Sequence, residues 1–410
     1  MASVKPFQPF RYSLKAGDPA KLLTQPYDKI SPEMQARYLA QSPYNLVRVI
    51  LGRRRDSDTE SDNVYTRAAR HLEDWMREGI LARDPAPGFY AYFQDFDVPD
   101  SGERLTRKGF IGLGKVEDYS AGIVHRHEQT LSGPKKDRLQ VLRHTRAHFG
   151  QIFMLYPDRE GAVDRELDAA AQGAPVLDVT DEYGARHRLW PIADPSRIAR
   201  IQELMAPVKL LIADGHHRYE TSLNYRDENP GDPAAQYTMM TFVNMYSPGL
   251  KILATHRVVR GVEGFSIEKW CNRTAWTTRK FDSIAALKRE LGRPQPQAIR
   301  IGVVTAGDTV LLERARQDGE LDVPVLHHEI LGGWLGINEE AVRDEKHIQY
   351  VRGIDAAAAE VRERGAQVAF LLEPTPIEDM ARIAFAGGVM PQKSTDFYPK
   401  LLSGVTIYRL

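Results

Sequence analysis

In the first quarter of the chain, the spacing of apolar side chains switches between that of a helix and that of a strand. Ser31-Pro32-Glu33 is typical of a helix start, with a capping hydroxyl followed by proline and an acid. Residues 63–79 repeat apolar side chains at helical spacing, and the apolar run 45–50 predicts a strand. Residues 89–98 alternate aromatic and polar side chains, which predicts a hairpin that returns through 110–113.

The middle of the chain contains a short apolar strand that leads directly into a charged turn. Residues 151–156 and 208–213 are both apolar runs of strand length. The second run continues into Asp214-Gly215-His216-His217-Arg218, after which helical spacing extends to about residue 229. An arginine-rich helix is predicted over 135–149.

Beyond about residue 261, predicted helices and strands alternate, which indicates a separate lobe. Gly261 and Gly264 mark the boundary, so we expect three parts: a first region at 1–262, a C-terminal lobe at 263–386 and a tail at 387–410 that returns to the core. The predicted fold class is α/β with mixed α+β character. The predicted elements of the lobe are helices at 283–291, 322–336, 354–364 and 376–386, and strands at 298–305, 309–314, 346–351 and 367–372.

Charge and cysteine content exclude several classes of function. Lysine and arginine total 55 and aspartate and glutamate also total 55. Binding to nucleic acid or to an anionic membrane through a net positive charge is therefore not expected. The single cysteine, Cys271, excludes an intrachain disulfide and a cysteine-built metal site and indicates a reducing cytoplasm. No apolar stretch approaches the roughly 20 residues of a membrane helix, and we expect no secretory signal.

The turn at 214–218 carries the sharpest chemical signal. Glycine permits a tight turn, and two imidazoles and a guanidinium then follow at the start of a helix. Cations are unfavourable for a helix at this end, whereas the unpaired backbone N–H groups attract anions. This arrangement therefore indicates a bound anion, most simply a phosphate. The alternative is a pair of surface histidines beside a salt-bridged arginine.

Asp214-Gly215-His216-His217-Arg218 resembles the phosphate-binding box of the ParB/sulfiredoxin superfamily, in which a Gly-x-x-Arg turn holds nucleotide phosphates. Over its whole length the chain resembles the domain of unknown function 1015 family. The resemblance rests on seven segments spread over residues 5–410, namely Gln25–Asp28, Pro43–Arg48, His127–Thr130, Pro134–Arg138, Ala213–Tyr219, Thr255–Arg257 and Met390–Leu401.

The superfamily includes free-serine kinases, so the resemblance implies a kinase that transfers phosphate from ATP or ADP, with Mg²⁺, to free L-serine or a similar hydroxylated metabolite. It implies that Gly215, His216, His217 and Arg218 hold the phosphates and that Asp214 contacts the metal or orients the acceptor. Two alternatives are a phosphatase or phosphohydrolase that uses the same turn, and a ParB-like nucleotide-binding switch or DNA-associated protein without turnover. The sequence is also compatible with a homo-oligomer.

One departure from the superfamily pattern argues against thiol chemistry. Sulfiredoxin has a cysteine in its turn, where this chain has His216, and Cys271 lies outside every quoted motif, so thiol chemistry is not expected. We expect Cys271 to be a buried small apolar residue. The chain also has no P-loop and no protein-kinase signature.

His127 and Glu128 form a second candidate group. Glu128 is our candidate for the general base that takes the proton of the acceptor hydroxyl, and His127 for a substrate contact. The alternatives are a structural role and, with His125, a weak zinc site, for which no third ligand is visible. Nearby, Lys135 and Arg138 would neutralise phosphates, or would belong to a solvated basic helix face.

Two further segments complete the candidate set. Asp28 follows Tyr27 in a proline-rich turn, where it would bind Mg²⁺ or a substrate amino group, or would act as an Asx-turn acceptor. Both residues are candidates for substrate binding. Lys393, Ser394 and Thr395 offer a cation and two hydroxyls, which suits a second phosphate site or an ordinary strand entry.

Overall fold

The computed structural model describes residues 1–99, 101–128, 133–264 and 276–410. The predicted burial of Cys271 falls outside these residues, as do Gln129 and Thr130 of the quoted motifs. Within the described ranges, no helix combines the length and the apolar character that crossing a membrane requires.

The helices begin where the sequence offers capping groups. The side chains of Ser31, Asn63 and Asp194 each accept a hydrogen bond from a backbone N–H in the first turn of the helix that follows. The helices are α1 (Pro32–Gln41), α2 (Val47–Ile50), α3 (Val64–Arg77), α4 (Gly133–Thr145), α5 (Ala162–Ala170), α6 (Pro195–Met205), α7 (His216–Glu228), α8 (Ile284–Leu291), α9 (Asp322–Val325), α10 (Glu339–Arg343), α11 (Ile354–Arg362) and α12 (Ile377–Phe385).

The strands range from two to twelve residues. They are β1 (Val4–Lys5), β2 (Phe10–Tyr12), β3 (Leu81–Arg83), β4 (Phe89–Asp97), β5 (Arg104–Lys115), β6 (Val124–His125), β7 (Ala147–His148), β8 (Ile152–Tyr156), β9 (Leu177–Thr180), β10 (Arg186–Ile192), β11 (Leu210–Asp214), β12 (Tyr237–Asn244), β13 (Lys251–Leu253), β14 (Thr255–Val259), β15 (Thr277–Lys280), β16 (Ala298–Val304), β17 (Thr309–Ala315), β18 (Ile348–Arg352), β19 (Val368–Leu371), β20 (Asp396–Tyr398) and β21 (Tyr408–Arg409).

The chain divides into two compact units. Unit 1 comprises Met1–Arg126, Thr130–Lys251 and Pro399–Leu410, and unit 2 comprises His127–Gln129 and Ile252–Tyr398. The last residues of the chain therefore belong to the same unit as the first.

Unit 1 is built on a mixed sheet with the strand order β6-β11-β8-β12-β5-β4-β10-β9, and β1 pairs with β5. Strands β6 and β11 are parallel, as are β8 and β12, whereas β8 and β11 are antiparallel. The register of β11 against β8 shifts between Ile212 and Asp214. Such a bulge turns the side chains at the end of a strand away from the regular alternation. It lies directly before the charged turn at 214–218.

Unit 2 contains a six-stranded sheet with the order β15-β17-β16-β19-β14-β18, in which the neighbouring strands are antiparallel. Buried side chains of β16, β17 and β19, including Ile301, Leu312 and Phe370, pack against the segment that follows α9. The predicted α/β class with mixed α+β character is confirmed, because both units combine sheets with packed helices.

Three local predictions were wrong at least in part; one is the helix predicted over 135–149, which ends at Thr145 and is followed by β7. The apolar run 45–50, predicted as a strand, forms α2, because the Asn45 side chain accepts a hydrogen bond from the N–H of Val47 (2.9 Å) and starts a helical turn. A short apolar run alone does not distinguish a strand from a buried helix. The predicted helix at 322–336 consists of α9 and a π-helical stretch, Leu326–Gly332. The predicted hairpin at 89–113 is confirmed as β4 and β5.

Candidate functional site

The turn after β11 requires a glycine for two reasons. Gly215 has a φ of 94°, a left-handed conformation that side chains other than glycine rarely adopt. A Cβ atom at this position would lie 2.9 Å from Nε and Cζ of Arg218. The guanidinium of Arg218 is therefore folded back over Gly215, at the N-terminus of α7.

Arg218 is held in place by the strand beside it. Its Nη1 donates a hydrogen bond to the carbonyl oxygen of Gln151, and its Nη2 lies 3.9 Å from a carboxylate oxygen of Asp214. The Gln151 side chain is fully buried, and its amide atoms have no hydrogen-bond partner in the part of the chain that the structure describes. The carbonyl of this residue therefore fixes the arginine, whereas its side chain leaves two polar groups unsatisfied.

Asp214 lies between two cations. Lys400, from the last segment of unit 1, donates to its Oδ2 over 3.2 Å, and Arg218 is on its other side. Burial alone would raise the pKa of Asp214, but the charges of Lys400, Arg218 and Lys29 outweigh this effect and hold the pKa well below its usual range. The carboxylate is therefore ionised throughout the physiological range.

The position of Lys400 is fixed by a buried polar network that the sequence analysis missed. The Arg107 guanidinium is almost fully buried, stacks 4.6 Å from the centre of the Phe153 ring and donates to the carbonyl of Pro399 (2.5 Å). Gln94 donates to the carbonyl of Lys400 (2.9 Å) and accepts from Arg107 (3.0 Å). Two side chains of the sheet thus hold the backbone on either side of the lysine, and burial lowers the pKa of Arg107 to about 9.

The two histidines of the turn occupy the first two positions of α7, as the strand–turn–helix prediction requires. His216 is buried, whereas His217 is partly exposed. The carbonyl of His217 accepts a hydrogen bond from Thr221 (2.7 Å) within the helix.

A pocket in unit 1 lies beside Arg218. Its empty space is about 620 Å³, including the part open to solvent, and Tyr27, Arg138, His148 and Ser403 also line it. Burial and the adjacent Asp28 raise the pKa of Tyr27 to about 12, partly offset by Arg138 and Arg218, so its hydroxyl stays protonated at neutral pH.

The predicted basic residues on α4 have protein partners. The Arg138 guanidinium stacks on the Tyr27 ring at 4.2 Å and donates to the carbonyl of Ile50 (2.6 Å). Lys135 forms an ion pair with Glu220. Arg138 thus lines the pocket while tied to neighbouring groups, and Asp28, next to Tyr27, is exposed.

The other predicted residues come together within unit 2. A carboxylate oxygen of Glu128 accepts the backbone N–H of Lys393 (2.7 Å), and Nε2 of His127 lies 2.8 Å from the Thr395 hydroxyl. The Ser394 hydroxyl donates to the carbonyl of Pro391 (2.6 Å). Two segments far apart in sequence thus form one cluster.

The missed contributor to this second cluster is Arg257. Its guanidinium is fully buried and donates to the carbonyl of Lys393 (3.0 Å), and Nε lies 3.3 Å from Nε2 of His327. Lys393 has a φ of 56°, which is strained for a residue with a side chain and directs its N–H to Glu128. The predicted residues therefore form two clusters, one in each unit.

The described residues contain no group of three or more His, Cys, Asp or Glu side chains that could hold a metal ion. At the turn, Asp214 offers one carboxylate, which already faces Lys400 and Arg218. Mg²⁺ is commonly bound by one or two carboxylates together with substrate phosphates, so the donor chemistry fits a magnesium ion that arrives with a nucleotide.

Replacing Lys400 with methionine tests the central ion pair. Because the pKa of Asp214 is lower in the folded protein than in the unfolded chain, the pair stabilises the fold above about pH 4, and this stabilisation is lost as the pH falls further. We expect Lys400→Met to lower the free energy of unfolding by about 1–3 kcal/mol near pH 7, since Asp214 is partly exposed. The loss should shrink near pH 3 in urea titrations.

The control for this test is Lys209→Met, which removes an exposed lysine close to the same strand. It should change the stability by less than about 0.5 kcal/mol at either pH. A Lys400→Met variant that is as stable as the parent near pH 7 would show that the pair does not hold the turn.

Comparison with solved structures finds distant likenesses. Free serine kinase in complex with AMP matches 67% of this chain and 83% of its own at 10% identity and a TM-score of 0.35. SbnI with a C-terminal truncation, from Staphylococcus aureus, matches 71% and 85% at 11% identity and a TM-score of 0.37. A conserved hypothetical protein from Pyrococcus furiosus matches 68% and 91% at 11% identity and a TM-score of 0.35.

No curated protein matches the chain. A family model described as protein of unknown function (DUF1015) matches residues 4–333. This match covers most of the chain and includes the turn at 214–218, Tyr27, Asp28 and the Glu128 segment, although it ends before Lys393 and Lys400. The chain therefore belongs to the DUF1015 family.

Proposed function

We propose that the protein is a nucleotide-dependent small-molecule kinase that transfers a phosphoryl group from ATP or ADP, with Mg²⁺, to the hydroxyl of free L-serine or a similar metabolite. The observation that carries this proposal is the turn at Gly215, where a guanidinium covers the start of a helix beside an open pocket. The resemblance of this turn to the ParB/sulfiredoxin phosphate box supports the same assignment.

The phosphates are assigned to the first turn of α7. Backbone N–H groups at a helix N-terminus attract anions, and α7, with thirteen residues, is long enough to have a dipole. Arg218 has five N–H donors, and one of those on Nη1 is bound to the Gln151 carbonyl. The donors on Nε and Nη2 lie over Gly215, where they can contact phosphate oxygens. His216 and His217 are assigned to the same phosphates.

Asp214 is assigned to orientation rather than to proton transfer. A carboxylate whose pKa is held low by two cations is a weak base, because an efficient general base has a pKa near the working pH. With Mg²⁺ bound, Asp214 would share the ion with the phosphates, and the ion would neutralise charge on the transferred group. In the absence of Mg²⁺, the Asp214 carboxylate pairs with Lys400 and Arg218 and holds them in position.

We keep Glu128 as the proposed general base and assign Lys393, Ser394 and Thr395 to nucleotide binding, with His127 as a substrate contact. The N–H of Lys393 donates to one oxygen of Glu128 and so orients the carboxylate. Lys135 and Arg138 are proposed to contribute positive charge near the phosphates. Tyr27 and Asp28 are proposed to contact the substrate.

A screen of the purified protein with labelled ATP and ADP against amino acids and other small alcohols tests the proposal. A labelled phosphorylated alcohol is the expected product. Release of inorganic phosphate without a phosphorylated acceptor would instead identify a phosphohydrolase. Nucleotide binding without any product would identify a switch.

Arg218→Lys tests the phosphate turn. Lysine keeps the charge but not the planar fork, so the affinity for nucleotide should fall by about 1–3 kcal/mol. Calorimetry on the parent and the variant measures this loss. The control Arg200→Lys changes an arginine whose exposed side chain pairs with Glu203 on the same helix, and it should bind nucleotide as the parent does. If the parent and both variants bind nucleotide with equal affinity, the phosphates do not bind at this turn. Lys393–Thr395 would then be the next segment to test.

Glu128→Gln tests the proposed base. Glutamine keeps an oxygen that accepts the N–H of Lys393, so the local fold should persist. Turnover should fall about 10²–10⁴-fold in single-turnover assays, with nucleotide affinity nearly intact. Glu203→Gln, at an exposed position on α6, provides the control. Normal turnover of Glu128→Gln would exclude this residue as the base and make Asp28 the next candidate.

A further inference from the structure

A second cavity in unit 1 has five arginines among its eleven lining residues. It lies beside α1, α2 and α3, and its empty space is about 1100 Å³, including the part open to solvent. None of its lining residues also lines the pocket beside Arg218. We call it the arginine pocket; its charged or titratable lining residues are Arg48, Arg53, Arg54, Arg55, Arg67 and His71.

The arginines of this pocket are only partly neutralised by the protein. Arg67 pairs with Asp58 (2.7 Å), and Arg54 pairs with Asp137 (3.0 Å). Arg48 donates to the carbonyl of Leu39 (2.7 Å), a partner that leaves its charge uncompensated.

Arg53 and Arg55 are exposed at the rim. Neither side chain forms a salt bridge within the ranges that the structure describes. Both follow Gly52, at the start of the polar loop that leads to α3. The pocket therefore has an excess of positive charge, and two of its guanidiniums are available to a ligand.

The pKa of His71 responds to the electrostatic potential in the pocket. Its ring stacks on Trp75 with 6.0 Å between the ring centres. Burial lowers the pKa of His71, and the charges of Arg48, Arg70 and Arg67 lower it further, opposed by Asp74. The imidazole is therefore neutral at neutral pH, and an anion bound nearby would raise its pKa.

We propose that the arginine pocket binds a small organic molecule with at least two phosphate groups. Guanidiniums bind phosphate oxygens through paired, charge-assisted hydrogen bonds, and several of them suit a multiply charged anion. The aliphatic side chains of Ala36, Leu39 and Val64 line the same cavity and suit the carbon part of such a ligand.

The composition of the pocket argues against a single-stranded nucleic acid as its ligand. Such ligands are usually bound by aromatic rings on which bases stack, along a continuous basic groove. His71 is the single ring among the described lining residues, and positive and negative residues balance over the whole chain. A compact phosphorylated ligand needs neither a series of stacking rings nor a large net positive charge on the protein.

The test uses the full chain, sodium tripolyphosphate as the probe and the His71 ring resonances in NMR as a reporter specific to this pocket. In the parent, the probe should raise the pKa of His71 as it binds. The double variant Arg53→Gln/Arg55→Gln should weaken binding by about tenfold or more, because two charge-assisted contacts are lost. These side chains make no salt bridge with any residue that the structure describes, so the fold should persist.

The matched control is Arg83→Gln/Arg104→Gln, which removes two exposed arginines outside the pocket. Its affinity should stay within about twofold of the parent value. Equal weakening in both double variants would show a diffuse charge effect and overturn the proposal. No weakening in the Arg53→Gln/Arg55→Gln variant, or no response of His71 in the parent at about 5 mM probe, would also overturn it.

Discussion

Two cations face one carboxylate at the point where a buried strand of unit 1 turns into a helix. Lys400 and Arg218 keep Asp214 ionised in spite of its partial burial, and Asp214 in turn holds both cations close to Gly215. Arg218 can lie there only because Gly215 has no Cβ atom. The position of positive charge at the start of α7 therefore depends on this ion cluster and on the glycine together.

This cluster explains why the end of the chain returns to unit 1. The Lys400 side chain reaches Asp214 because Arg107 and Gln94 bind the backbone carbonyls of Pro399 and Lys400. A fully buried guanidinium is costly unless its donors are satisfied, and here it is satisfied by groups that also place a functional cation. The stability of the sheet and the geometry of the turn are therefore linked through the same side chains.

The sequence predicted the features that depend on neighbouring residues. The helix start at Ser31, the hairpin of β4 and β5 and the strand–glycine–helix order at 210–228 all follow from local spacing and capping. The pairing of His127 and Glu128 with the segment 393–395 was not predictable, because it joins residues more than 260 positions apart. The short helix α2 was missed because the Asn45 side chain, rather than apolar spacing, decides its backbone.

The role of Lys400 could have been suspected from the sequence but not assigned. It belongs to the segment Met390–Leu401 that supports the family resemblance, yet nothing local connects it to Asp214, 186 residues away. Likewise, Arg107 lies in β5 between Thr106 and Lys108, and only the tertiary structure brings it to the last segment of the chain. Long-range ion pairs of this kind require the tertiary structure.

A crystal structure of the protein with ADP and Mg²⁺ would show directly where the phosphates bind. We expect phosphate oxygens within about 3 Å of the backbone N–H groups at the start of α7 and of the Arg218 guanidinium. Phosphates bound instead at Lys393–Thr395 or in the arginine pocket, with the turn at Gly215 vacant, would contradict this expectation.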